Sequence, residues 1–312
     1  SAYPMSPRVA VIGPHRRRSG TGPFVAEFFR RAGCRVEGWD RDRARRFLTR
    51  GEGNGEVDAV AICSPAETHF DYLTAAVAGG LHTFCEKPVV WPSDGTPAAL
   101  DGLIAGLETV LRGAGRAGLV VHENTQWVYT LDDFRRIAGE IPKDEVRHFR
   151  CELSPSESSA AGMIMECAAH ANSLLAALGG GEAGAIRARY GAPDGGRSAS
   201  LELDFCCRGA AGRTIDVEYR FARQSGQPRH AAYAVNHRRV ERRVDLQGYK
   251  LSLRFDGRDY PIRDPLESSV GDFLALVANG AAAGRAATML ATIRLSSQLL
   301  KACCEHRSAE HA

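Results

Sequence analysis

The sequence predicts an α/β protein: an N-terminal Rossmann-type doubly wound parallel sheet, followed by a C-terminal α+β region with a large, mostly antiparallel sheet. Three observations predict it. Short, near-continuous apolar runs alternate with helical patterns through the first half, as strands buried on both faces do. A strict every-second-residue alternation takes over later, clearest at Ile215, Val217, Tyr219 and Phe221. The first apolar run ends on Gly13, where a dinucleotide fold turns its chain toward a pyrophosphate.

Taken in order, the parallel strands are RVAVIG (8–13), RVEGWD (35–40), DAVAICSP (58–65), HTFCEK (82–87) and GLVVHEN (118–124). Helical patterns fill the spaces at 22–33, 41–50, 67–80 and 94–116. Right-handed crossovers then set the C-terminal ends of the strands along one edge, the side on which ligands bind. The pattern changes near residue 145. VRHFRCEL (146–153) alternates as a strand, and a helix over about 160–178 ends at Gly179-Gly180-Gly181. Strand-like runs follow at 185–191, 199–206, 213–222, 230–245 and 250–263, with Asp256-Gly257 as a hairpin turn inside the last. Two helical patterns, 267–279 and 284–306, close the chain. Residues 1–125 are thus expected as the dinucleotide-binding domain and 126–312 as the substrate-binding and oligomerisation domain, the final helices being free to pack back on the first.

Composition narrows the function classes. The chain has 312 residues, 44% of them hydrophobic, enough to bury a sizeable core. A net charge of +3 offers no general attraction for nucleic acid, and the arginine runs 16–18 and 238–243 read as solvated faces. No run of 18 apolar residues predicts a membrane span, and the first residues lack a signal-peptide pattern. Nine cysteines without a CxxC pair suggest reduced thiols, a cytoplasmic protein and no zinc site.

At the ligand edge the usual G-x-G-x-x-G is missing. Gly13 is followed by a longer loop, with Arg16, Arg17 and Arg18, before Gly20-Thr21-Gly22 opens a helix. The second half of that loop is expected to cradle the pyrophosphate, with Thr21 capping the helix and Pro23 at its first turn. Asp40, at the end of the second strand, is placed to bond the ribose hydroxyls and favours NAD; Arg41 and Arg43 leave NADP open. An Asp before a helix is also simply a good cap. Lys87, within Glu86-Lys87-Pro88, points to the ligand edge, where a lysine can donate to a substrate oxygen.

With Glu86-Lys87-Pro88 in place, the chain resembles the glucose–fructose oxidoreductase/inositol dehydrogenase (Gfo/Idh/MocA) family. Ser64-Pro65-Ala66-Glu67-Thr68-His69 is similar to that family's loop after the third strand. Met163 to His170, an acid four residues before a histidine, resembles its catalytic helix, and Asp264-Pro265-Leu266 followed by Phe273 resembles the entry to its penultimate helix. The resemblance implies NAD(P)-dependent redox chemistry on a sugar, cyclitol or related small molecule, and a homodimer or homotetramer formed through the C-terminal sheet. It implies Lys87, Glu166 and His170 as the catalytic set, with Glu166 where aspartate is usual. His170 would move the hydroxyl proton, Glu166 would orient its ring, and Lys87 would stabilise developing alkoxide. Gly13, Gly20, Thr21, Gly22, Asp40, Arg41, Ser64, Pro65, His69 and Glu86 become cofactor-binding candidates. Gln126, Trp127 and Asn172, with Tyr129, are substrate-facing candidates, although Trp and Tyr serve cores equally well. The departures are the expanded loop, Glu166, and Ser173 where aspartate is frequent. They keep two rivals in view: an imine or enone reductase on the same scaffold, and a ligand-binding protein without turnover.

Overall fold

The computed structural model describes residues 6–13, 21–193, 198–280 and 285–310. Gly20 and Arg16 to Arg18 lie outside the described residues. The chain forms two compact units. One takes residues 1–94, 98–126 and 266–290, the other 95–97, 127–265 and 291–312.

The first unit is built on five parallel strands, β1 (Arg8–Ile12), β2 (Arg35–Trp39), β3 (Ala59–Ile62), β4 (His82–Glu86) and β5 (Val121–Asn124), in the order β2-β1-β3-β4-β5. Its crossovers use α1 (Gly22–Arg31), α2 (Arg41–Arg50), α3 (His69–Ala78) and α4 (Pro97–Arg116). Strand order reverses between β1 and β3, which makes the crevice at their C-terminal ends the switch point where such sheets take ligands. Gly13 lies there with φ +83°, and a Cβ on it would stand 2.7 Å from the Cys63 carbonyl oxygen. Only glycine lets β1 turn this close to the end of β3. Val9, Val11, Phe29 and Phe84 fill the core, and α7 (Pro265–Asn279) adds Val270 and Phe273. Phe273 meets Phe29 and Phe84 edge-on at 5.9 and 5.7 Å, so a helix from the far end of the sequence completes this unit's core.

The second unit carries an eight-stranded sheet, ordered β13-β12-β11-β10-β6-β9-β8-β7. Its members are β6 (His148–Leu153), β7 (Ala183–Gly191), β8 (Ser200–Arg208), β9 (Thr214–Ala222), β10 (Ala231–Val235), β11 (Arg238–Asp245), β12 (Lys250–Phe255) and β13 (Arg258–Pro261). Every pairing is antiparallel except β6 with β9. The expected face of β9, Ile215, Val217, Tyr219 and Phe221, is fully buried and packs beneath α6 (Ala160–Ala177). The other face is a lattice of ion pairs, Arg150–Glu218, Arg220–Asp204 and Arg239–Glu152 among them.

The structure revises three expectations. The run 230–245 is two strands, because Asn236 turns left-handed at φ 54° and closes a hairpin between Val235 and Arg238. Asparagine tolerates that conformation, and its Oδ1 accepts from the Arg147 and His148 amides. The helix α5 (Leu131–Ala138) was not expected at all; it buries only Leu131 and Phe134, too short an apolar stripe to register as a period. The last helix, α8, runs over Ala286–Glu310, past the expected end. The Asp256-Gly257 hairpin turn forms as expected, with φ 47° and 74°. No two of the nine cysteines are bonded to each other. Among the described residues no helix is long and apolar enough to cross a membrane.

Candidate active site

In the first unit, the strand ends gather a set of buried polar groups. Thr21 occupies the N-cap position of α1, but its side chain caps nothing: with φ −77° and ψ −12° it is already helical, so its hydroxyl cannot reach the next amides. It instead bonds the Glu86 carboxylate and Cys63. Asn124 Nδ2 donates to Glu86 Oε1 at 2.6 Å. Burial raises the Glu86 pKa, while these two donors and the neighbouring Lys87 ammonium pull it back.

Lys87 follows directly and enters a loop pinned from two sides. His69 is fully buried, with Nδ1 2.8 Å from the Pro88 carbonyl and Nε2 2.9 Å from that of Ser64. Burial lowers its pKa, so the neutral ring donates to one carbonyl at a time. Its nitrogens therefore latch the loop after β3 to the loop after β4. Ser64 Oγ and Thr68 Oγ1, 2.7 Å apart, hold the first of those loops around Pro65. The second pin is Glu123, whose Oε1 accepts from the Val89 amide at 2.9 Å. Burial pushes the Glu123 pKa up to about 7; the Val89 bond and Lys87 resist, and Glu86 adds to the rise.

At the end of β2, Asp40 is exposed and caps α2, its Oδ1 accepting from the Arg43 amide at 2.8 Å. Arg43 pairs with Glu37 and Glu56 and lies over the Trp39 ring, whereas Arg41 stands exposed at the start of α2.

In the second unit, Glu166 and His170 lie four residues apart on α6, whose first turn is capped by Ser159. The Glu166 carboxylate accepts from the Ser156 amide at 2.8 Å, from the Ser156 hydroxyl, and from Arg229 Nη1 at 3.0 Å. His170 is 7% exposed, and its carbonyl accepts from Ser173 Oγ at 2.9 Å. Trp127 is buried, edge-on to Tyr233, with the Arg242 guanidinium 5.5 Å above its ring.

These placements frame what other proteins show. A family model described as an oxidoreductase family with an NAD-binding Rossmann fold (GFO_IDH_MocA) matches residues 40–106, which include both the Ser64–His69 and Glu86–Pro88 motifs. Over that stretch the chain is similar to the Gfo/Idh/MocA oxidoreductases. An inositol 2-dehydrogenase of Paracoccus denitrificans (strain Pd 1222) is 45% identical over 42 residues, which is 14% of this chain and only 12% of that enzyme. Solved structures agree in fold over nearly the whole length. UDP-N-acetylglucosamine 3-dehydrogenase GnnA from Acidithiobacillus ferrooxidans has a TM-score of 0.64 at 22% identity, covering 96% of this chain and 98% of its own. GenD2 from gentamicin A biosynthesis, solved in complex with NAD, has a TM-score of 0.65 at 16% identity, covering 98% and 96%.

Against that Gfo/Idh/MocA background, the structure groups the expected residues in two sets. Gly13, Thr21, Ser64, Pro65, His69, Glu86 and Lys87 line the strand ends of the first unit, with Gly22 buried at the start of α1 and Asp40 and Arg41 at the tip of β2. Gln126, partly exposed, follows β5 in the same unit. Glu166, His170 and Trp127 belong to the second. Asn172 departs from its expected place: it is 1% exposed, its Nδ2 donates to the Thr292 carbonyl and Ser296 Oγ, and its Oδ1 accepts from the Tyr219 hydroxyl. Its amide thereby ties α6 to α8 and β9, because the half-turn beyond His170 faces inward.

Three residues escaped the sequence reading. Glu123 and Asn124 end an apolar run and passed as the polar boundary of a strand. Arg242 sat in an arginine run taken as solvated; the β11 alternation, with Val240 buried, was the signal that sets it on the inner face. Among the described residues no group of three His, Cys, Asp or Glu is arranged to hold a metal.

NAD fits the residues present at the first unit's edge. Gly13 provides the close backbone approach, and Asn124 Oδ1 is a buried acceptor with no partner among the described residues, beside the Glu86 and Lys87 strand end. An incoming amide donor would satisfy it.

Proposed function

We propose that this chain is an NAD-dependent dehydrogenase or reductase acting on a polar small molecule, a sugar, cyclitol or aminosugar bearing a hydroxyl or ketone. The observation that carries the reading is Lys87 at the end of β4, beside the glycine turn of the switch point, with its loop latched by His69 and Glu123. The activities of the similar proteins, an inositol dehydrogenase and a UDP-aminosugar dehydrogenase, support the polyol class.

Bound NAD supplies the hydride acceptor or donor. Gly13 and Gly22, with Gly20 outside the described residues, hold the pyrophosphate; Asp40 takes the ribose hydroxyls while capping α2. NAD is favoured over NADP because Arg43 is already committed to Glu37 and Glu56. Lys87 Nζ donates to the reacting oxygen and stabilises developing alkoxide. His170 takes the hydroxyl proton on oxidation and returns it on reduction, as an imidazole does readily near neutral pH. Glu166, held by Ser156 and Arg229, fixes the helix face that presents His170. Trp127, buried with Arg242 over its ring, is held back from direct contact with the substrate. The protein acts as a cytoplasmic homo-oligomer, the charged outer face of the large sheet being the surface on which copies meet.

Cofactor titration tests the reading. NADH should quench tryptophan fluorescence with micromolar affinity and bind more tightly than NADPH. No binding of either form at millimolar concentration would sink it.

A further inference from the structure

Arg242 is unusual among the arginines of the large sheet. On β11 its neighbours Arg239 and Arg243 point outward and pair with Glu152 and Glu241. Arg242 shares the inner side with the fully buried Val240. Its guanidinium lies over the Trp127 ring, and Nη2 donates to the Arg229 carbonyl at 2.8 Å. Nε is shut away from solvent with no acceptor among the described residues, and the carboxylate that acts on the guanidinium is that of Asp264. Taking part of a guanidinium out of water with its Nε unbonded is unfavourable. Burial lowers the Arg242 pKa from its ordinary value; Tyr249 and Asp264 act against that, and Arg229 adds to it.

The surroundings carry the same imbalance. Arg223 Nε donates to the Ser156 carbonyl, Ser156 donates twice to Glu166, Glu166 accepts from Arg229, and the Arg229 carbonyl accepts from Arg242. Three guanidinium groups along this chain of bonds share one bonded carboxylate, Glu166. The Nε of Arg229, too, is buried without a partner. A planar fork braced on an aromatic ring is preorganised for an oxyanion, which it meets with two parallel hydrogen bonds.

We infer that Arg242, braced on Trp127 and bonded to the Arg229 carbonyl, anchors an oxyanion, a carboxylate or phosphate group, carried by the substrate. The inference rests on the proposed function and sharpens it: the substrate is an acidic or phosphorylated sugar rather than a neutral polyol. The β11 alternation sets Arg242 on the inner face, but the partners that brace it there come from distant parts of the chain.

The test uses the full chain. NADH titration comes first and reports on the cofactor reading alone. Calorimetric titrations with glucose, glucuronate and glucose 6-phosphate then follow on the wild type and on Arg242→Gln. At least one anionic sugar should bind tenfold or more tightly than glucose, and which one does so separates carboxylate from phosphate. In Arg242→Gln that preference should vanish while NADH affinity stays unchanged. A wild type that binds neither acid more tightly than glucose, or a variant that keeps the preference, overturns the inference. If NADH binds in both cases, the proposed dehydrogenase survives that failure. Should Arg242→Gln not fold, Arg242→Lys decides. It keeps the charge and loses the fork, so the preference should fall severalfold, and an undiminished preference overturns the assignment.

Discussion

The strand ends of the first unit and the arginine network of the second hold their functional groups by opposite means. At the strand ends the backbone does the placing. Gly13 turns because no Cβ fits, His69 sits between two carbonyls and donates to one at a time, and Glu123 bonds an amide. In the second unit charged side chains carry more of the holding: Glu166 meets Arg229 and Arg242 lies on Trp127, with the Ser156 amide and the Arg229 carbonyl completing the chain. Backbone-fixed sites tolerate little substitution and change little between ligands. Side-chain networks are easily re-specified, one residue at a time. The difference fits a division of labour in which one region binds an invariant cofactor and the other selects a substrate.

Substitutions can break that contrast, and the largest effect is expected at the residues proposed to act on the substrate. Lys87→Ala and His170→Ala should each lower kcat by ~10²–10⁴ with NADH affinity retained. Steady-state kinetics beside fluorescence titration reads both numbers, and near-wild-type turnover in either variant removes that residue from the catalytic set.

Backbone placement is tested next by Gly13→Ala. The new methyl enters a left-handed residue 2.7 Å from the Cys63 carbonyl. A stability loss of roughly 2–5 kcal/mol is expected in urea titration, together with weakened NADH binding. A neutral outcome would mean that the turn is looser than the strand ends require.

A smaller effect belongs to Glu123. Its folded-state pKa of about 7 lies above the ordinary carboxyl value of 4.5. The native state therefore holds the proton that the unfolded state releases, and stability falls as pH rises from about 4.5 to about 7. Glu123→Gln keeps an oxygen for the Val89 amide and removes the titration. Over that window the variant should lack a decline of roughly 1–3 kcal/mol that the wild type shows. Parallel stability–pH curves for the two proteins would clear Glu123 of the effect.

The smallest change is expected at Asp40→Ala, which loses the α2 cap and with it about 1 kcal/mol. The same variant should narrow the preference for NADH over NADPH. Loss of the cap energy with an unchanged preference would confine Asp40 to capping.

Much of this was legible before any fold was seen, and the reason is locality. Gly13, Glu86-Lys87-Pro88 and the Glu166–His170 spacing each lie within a few consecutive residues, so their geometry follows from one strand end or one helical turn. Asn172 misled for the same reason: its position half a turn beyond His170 is local, whereas the Thr292, Ser296 and Tyr219 groups that claim its amide come from distant elements. Thr21 misled because helix capping depends on a backbone angle that residue type only biases.

By itself, then, the sequence determined the alternation of strands and helices, the parallel sheet, the antiparallel sheet and the positions of the lysine and the histidine. Those follow from side-chain periodicity and from the few residues able to adopt a given turn. Only the tertiary structure decided that Glu123 braces the Lys87 loop, that α7 completes the first unit's core, and that Arg242 lies on Trp127. Each of those is a meeting of residues far apart in the chain. Burial, partnering and charge balance belong to the packed neighbourhood, and no local pattern encodes them.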